Sequence, residues 1–244
     1  METIEVAFTV RSFESDAFGY LAPAALAGYL QEAAGQSADS LGFGLSNLNR
    51  KGLTWVLVRE QFALNEPIRM GDTVQVETWP SGIDRWAVLR DFRLLKGDRE
   101  VGRALTSWFV LDLQTRHPVR PKLVLTDTYH AQTPHVLPVM SEPLAALAEA
   151  SLQRRFQVRF ADIDANLHVT NASYITWVLE ALDEAAWRDQ YLKSLDIQFL
   201  AECSLGTFVY SRSAIEAPGR RRHSVIREED EKELARATTE WTVK

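Results

Sequence analysis

The chain has 244 residues, 46% of them hydrophobic and 25% charged, ordinary proportions for a folded protein with one or two domains. A formal charge of -6, from 27 basic and 33 acidic residues, speaks against a general affinity for nucleic acid or anionic membrane, and no apolar run approaches the roughly 18 residues that span a bilayer. The single cysteine, Cys203, excludes an intrachain disulfide and a four-cysteine zinc site; with an acidic start unlike a signal peptide, it points to a reducing, cytoplasmic setting.

The first predicted element is a short strand over residues 5–13. The loop Asp16-Ala17-Phe18-Gly19-Tyr20-Leu21-Ala22 follows, and Pro23 suits the first position of a helix. That helix, of roughly five turns, is expected over 23–41. Strand patterns come next at 54–65, 73–80, 85–95 and 100–111, with Gly71-Asp72 and Gly97-Asp98 as turns. One strand, one long helix and four strands make an α+β unit with an antiparallel sheet. A long helix inside a curved sheet is the hot-dog arrangement.

Residues 116–150 are read as a linker or strap, because Pro118, Pro121, Pro134, Pro138 and Pro143 remove donors and fix φ. A short helix over 141–150, capped by Ser141, is expected at its end.

The chain then repeats itself. Phe8-Thr9-Val10-Arg11 returns as Phe156-Gln157-Val158-Arg159 at an offset of 148 residues. The same offset matches Asp16-Ala17 to Asp164-Ala165, Ala24 to Ala172, and Glu32-Ala33 to Glu180-Ala181. With small indels, Gln61-Phe62 matches Gln198-Phe199, and Arg103-Ala104 with Trp108 matches Arg236-Ala237 with Trp241. A strand over 152–162, a helix over 172–191 and strands at 195–202, 207–216, 221–229 and 233–243 complete a second unit. Tyr174, Trp177, Val178, Ala181, Leu182 and Ala185 form that helix's apolar stripe. The expected organisation is a tandem (double) hot-dog: domains 1–115 and 151–244, two antiparallel sheets each wrapping a long central helix. Two fused hot-dogs imitate a homodimer, which leaves a further homodimer open.

Chemistry concentrates in the loop Asp162-Ile163-Asp164-Ala165-Asn166-Leu167-His168-Val169-Thr170-Asn171. In an extended stretch Asp164, Asn166 and His168 face the same way. They precede a helix N-terminus, whose free N–H groups and dipole can stabilise an oxyanion, with Thr170 or Asn171 as cap. The first repeat keeps Asp16 but carries Phe18 and Tyr20 in place of Asn166 and His168. A purely structural demand would act on both copies, so the asymmetry places chemistry in the second half and a cavity-shaping role in the first, with Leu26, Tyr29 and Leu30 as candidates to line a substrate cavity. Glu202-Cys203 follows an apolar strand and adds a second acidic element.

This loop, continued by Tyr174-Ile175 and Trp177-Val178-Leu179-Glu180, resembles the signature of the acyl-acyl carrier protein thioesterases, in which a Glu-Cys pair also follows on a later strand. The first half agrees at Trp55, Gly71-Asp72, Arg103-Ala104, Ser107-Trp108, Thr115-Arg116 and Pro118-Val119-Arg120. One departure is Thr170, where plant members usually carry Asn; without a plastid transit peptide the chain is similar to the bacterial branch. The resemblance implies hydrolysis of long-chain acyl-acyl carrier protein to free fatty acid and holo-carrier protein. It implies no metal or cofactor, and the carrier as partner. Catalytic candidates are Asp164, Asn166, His168, Glu202 and Cys203, with Glu202 as general base. Cys203, His168 and Asn166 also have the residue types of a cysteine-nucleophile triad, so a covalent route stays open. An acyl-coenzyme A thioesterase and a non-catalytic acyl- or carrier-binding protein are the alternatives. Two basic clusters could meet an acidic carrier: Arg220-Arg221-Arg222, favoured, and Arg116-His117 with Arg120 and Lys122.

Overall fold

Alternating burial along β1 (Ile4–Thr9) marks one face as interior, as a half-buried strand requires. The computed structural model describes residues 3–125, 129, 133–164 and 167–244. Packing divides the chain into two units, Met1–Leu21 with Gly28–Ser141, and Ala22–Ala27 with Glu142–Lys244.

In the first unit β1, β2 (Leu53–Leu64), β3 (Thr73–Asp84), β4 (Ala87–Lys96) and β5 (Arg99–Asp112) form an antiparallel sheet in the order β1-β3-β4-β5-β2. A short β6 (Pro118–Val119) adds to β5. Helix α1 (Pro23–Ser40) buries Leu26, Leu30, Ala33, Ala34, Ser37 and Ala38 along one stripe. It is anchored to β1 where Tyr29 stacks on Phe8, with ring centroids 4.4 Å apart. It ends as predicted because Gly42, at φ 78, lets Phe43 and Gly42 donate to the carbonyls of Ala38 and Asp39. Helix α2 (Leu45–Asn49) drives Leu48 into a cluster with Phe43, Val88, Val110, Leu125 and Tyr129. Each such buried side chain contributes about 1.5–3 kcal/mol.

Residues 133–141 lie along the sheet. Thr133 N–H donates to Ser81 O at 3.1 Å, and Asp91 accepts from Val136 N–H at 2.6 Å and pairs with His135 Nδ1 at 2.8 Å. Arg59 donates to Met140 O at 2.7 Å. The helix expected over 141–150 does not form. Ser141 donates to Asp84 rather than capping, Leu144 N–H donates to Gln198, and Leu144 O accepts from Arg236, so side chains take bonds a helix would have used.

The second unit repeats the plan with β7 (Leu152–Gln157), β8 (Gln190–Phe199), β9 (Phe208–Ala217), β10 (Arg220–Arg227) and β11 (Glu233–Val243), ordered β8-β11-β10-β9-β7. Its helix is shorter than expected. Helix α3 (Asn171–Glu180) stops where Ser213 Oγ takes the Ala181 carbonyl. Asp183 then accepts from Ala186 N–H at 2.7 Å and starts a separate α4 (Glu184–Asp189). Strand β8 consequently begins at Gln190, ahead of the predicted 195.

The repeats agree in local detail. Both first strands end before predicted, in matching 3₁₀ turns in which Arg11 N–H donates to Glu14 and Arg159 N–H to Asp162. Trp108 Nε1 donates to Thr106 and Trp241 Nε1 to Thr239, both at 2.8 Å. One sequence match fails: Phe62 sits opposite Ala104 but Phe199 opposite Ala235, so Ile197, opposite Ala237, is the counterpart of Phe62. Among the described residues no helix is long and apolar enough to cross a membrane. Each half has the hot-dog plan of an antiparallel sheet packed with a helix.

Candidate active site

The loop ahead of α3 is built as its counterpart ahead of α1. Asp164 N–H donates to His168 O at 2.8 Å, and Asp164 Oδ1 accepts from His168 N–H at 3.2 Å. In the first repeat Asp16 N–H donates to Tyr20 O at 2.7 Å and Asp16 Oδ1 accepts from Tyr20 N–H at 2.9 Å. Asp16 and Asp164 therefore occupy equivalent places, and each carboxylate shapes its loop. The loops differ at the residue before His168: Leu167 adopts φ 63, where the first repeat has Gly19 at φ 77. A left-handed conformation costs a side-chain-bearing residue roughly 1–2 kcal/mol. That strain lies directly beside a candidate catalytic residue, where stored strain tends to collect. Thr170, rather than Asn171, caps α3, accepting from Ser173 N–H at 3.0 Å. Asn166 lies outside the described residues.

His168 Nε2 stands 3.6 Å from Glu202 Oε2. The separation suits an ion pair or a water-mediated contact better than a direct hydrogen bond. Both side chains are about half exposed, at 42% and 54%, so water reaches them. Glu202 sits in the loop after β8, which is tied down where Leu200 N–H and Ala201 N–H donate to Leu234 O at 2.8 and 3.2 Å. Its neighbour Cys203 points the other way in character: it is 2% exposed, and burial pushes its thiol up despite the opposing pull of Thr207, the Ser204 backbone and Arg227. A buried thiol held in its protonated form is a poor nucleophile.

Two residues of this neighbourhood escaped the sequence reading. Tyr174, taken for part of an apolar stripe, donates its hydroxyl to Ala201 O at 3.2 Å, and Arg227 donates to Glu202 O at 3.5 Å. A signal for Tyr174 existed, since at the 148-residue offset its counterpart is Leu26.

Leu26, Tyr29 and Leu30 are all buried. The Tyr29 hydroxyl donates to Glu14 at 2.8 Å, so that residue ties α1 to the 3₁₀ turn. The fold separates the three arginines of the favoured docking cluster. Arg221 is buried, bonded to Gln190 and Asp183 and set over the Trp241 ring. Arg220 and Arg222 both pair with Glu216. Pairing of β10 with its neighbours turns alternate side chains inward, which three adjacent arginines in a sequence do not reveal. Arg116, His117, Arg120 and Lys122 are all exposed, with Arg120 over the Trp86 ring at 5.5 Å.

Comparison with known proteins bears on the family and the fold. Residues 2–129 match the family described as the acyl-ACP thioesterase N-terminal domain, and residues 145–243 its C-terminal domain. A chloroplastic acyl-acyl-carrier-protein hydrolase of Cuphea viscosissima is 29% identical over 97% of this chain and 61% of its own length. A chloroplastic palmitoyl-acyl carrier protein thioesterase of Arabidopsis thaliana is 27% identical over 97% of the chain and 63% of its own. The chain thus spans about three fifths of the length of these curated relatives. Among solved structures, an acyl-ACP thioesterase from Bacteroides thetaiotaomicron superposes with a TM-score of 0.88 at 22% identity, covering 98% of each chain. The 12:0-ACP thioesterase of Umbellularia californica gives 0.86 at 22% identity, over 99% of this chain and 98% of that one. At these identities the two structures speak for the fold.

Proposed function

Because the chain belongs to the acyl-acyl carrier protein thioesterase family, we propose that it hydrolyses long-chain acyl-acyl carrier protein to free fatty acid and holo-carrier protein. The observation that carries the reading is the accessible His168–Glu202 pair, 3.6 Å apart, beside a thiol that is buried and pushed up by that burial. Glu202 takes a proton from water as the new C–O bond forms at the thioester carbonyl. His168, with Asn166 as a second donor, steadies the oxyanion. Collapse breaks the C–S bond, and the thiolate, whose parent pKa is about 8.5, recovers the proton from Glu202. Asp164 acts through the loop it shapes.

Leu26 and Leu30 are proposed to set acyl length, and the reaction to end fatty acid synthesis in the cytoplasm. The carrier's acidic surface is proposed to meet the exposed Arg120 and Lys122 instead of the paired arginines of β10. The deciding experiment is incubation with a panel of acyl-acyl carrier proteins and the matching acyl-coenzyme A esters, with free acid and free thiol measured together. Equimolar acid and thiol from the carrier substrates is the expected result. Faster turnover of the coenzyme A esters would reassign the thiol partner, and stoichiometric acyl binding without turnover would remove the enzyme.

A further inference from the structure

Glu202 lies on a loop, not on a regular element, and its carboxylate is half exposed. The position of a base on such a loop is set by what holds its backbone. Two side chains from different elements donate to consecutive carbonyls there. Tyr174 Oη, from α3, donates to Ala201 O at 3.2 Å, and Arg227, from β10, donates to Glu202 O at 3.5 Å. Arg227 is itself fixed by two bonds to Asp230, at 2.8 and 2.7 Å. Tyr174 is fixed as firmly: it is buried, with its ring edge-on to Trp177 at 5.0 Å and to Phe199 at 5.9 Å.

The internal repeat offers a control within one molecule. At the 148-residue offset Tyr174, Trp177 and Val178 correspond to Leu26, Tyr29 and Leu30. A hydroxyl at the first of these places is therefore no requirement of the helix or the fold, because the first repeat fills it with leucine. It occurs only in the half that also carries His168 and Glu202.

We propose that Tyr174, assisted by Arg227, is a positioning residue that holds the Ala201-Glu202 backbone so that the Glu202 carboxylate stays against His168. This rests on Glu202 acting as the base. Burial, with Cys203 and Glu202 nearby, pushes the Tyr174 hydroxyl up, which keeps it a donor throughout the working pH range. The hydroxyl acts on the base and not on the acyl group, so its loss slows the chemical step and leaves substrate binding alone.

The test is Tyr174→Phe in the full chain, alone and combined with Glu202→Gln, with kcat and KM measured on acyl-acyl carrier protein. One neutral hydrogen bond corresponds to a kcat loss of about tenfold, at unchanged KM. In the Glu202→Gln background the same substitution should change the residual kcat by less than about twofold, because residues acting as one unit are not additive. Arg227→Gln should repeat the pattern. Equal tenfold losses in both backgrounds would show a general structural role and overturn the proposal, as would an unchanged kcat in the single variant. If Glu202→Gln alone were fully active, the base assignment itself would fall, a result distinct from either.

Discussion

Cys203 and Glu202 are adjacent in sequence, yet the fold treats them oppositely. One is buried with its thiol pushed up, the other half exposed beside His168. Cys203→Ala should therefore keep most of the activity, since burial withholds the thiolate that attack needs. Glu202→Ala should lose about 10²–10⁴ in kcat as a general base, and His168→Ala or Asn166→Ala about 10²–10³ as oxyanion donors. Steady-state rates, with circular dichroism to confirm folding, check all four. An acyl group isolated on Cys203, with turnover abolished in the alanine variant, would replace water attack by a covalent route.

Among the elements, β2 carries an unexpected residue. Glu60 is 2% exposed, and among the described residues its Oε1 has no hydrogen-bond partner. It faces Thr106, which on its other side faces the buried Arg90, so the three form one row across β2, β5 and β4. In the second unit the residue opposite Thr239, the counterpart of Thr106, is the buried Leu195. Burial pushes Glu60 up to about 8 from an ordinary 4.5. The folded state then holds the proton more tightly than the unfolded one, so Glu60 costs stability progressively as pH rises from about 4.5 to about 8. Glu60→Leu should stabilise the chain little at pH 5 and by on the order of 4 kcal/mol at pH 8. Denaturant melts of parent and variant at the two pH values measure it; a pH-independent difference would show that the carboxyl is not titrating in this window. Comparing parent with variant also cancels His223, which burial and Arg221 push down to about 3 and which costs stability in the opposite direction, as pH falls below about 6.5.

For the whole molecule, the open matter is how an acidic carrier is met by a chain of net charge -6. Arg220 and Arg222 already share Glu216, so reversing them should change carrier kinetics little. Arg120→Glu with Lys122→Glu should raise KM for carrier-bound substrate severalfold and leave a small acyl thioester unaffected. The effect should fade with salt, because exposed charges are screened over about 8 Å at physiological strength. Equal losses on both substrates would instead indicate damage to the fold or the site.

The sequence by itself determined the duplication, the strand order along the chain and the position of the candidate catalytic loop. These are carried by local pattern: period-two burial, the Pro23 start of α1, and the Asp16 and Asp164 loops closed by their own backbone bonds. What depends on contacts distant in sequence stayed illegible. The break after Glu180 needs Ser213, 32 residues beyond the carbonyl it takes, and the non-helical course of 142–150 needs Gln198 and Arg236. The pleat of β10 buries Arg221 between two exposed-looking neighbours, and the pairing of β2 buries a glutamate where its duplicate has leucine. Tyr174 reads as core in any periodicity, because its ring is core; only the tertiary structure shows the hydroxyl reaching Ala201, 27 residues away.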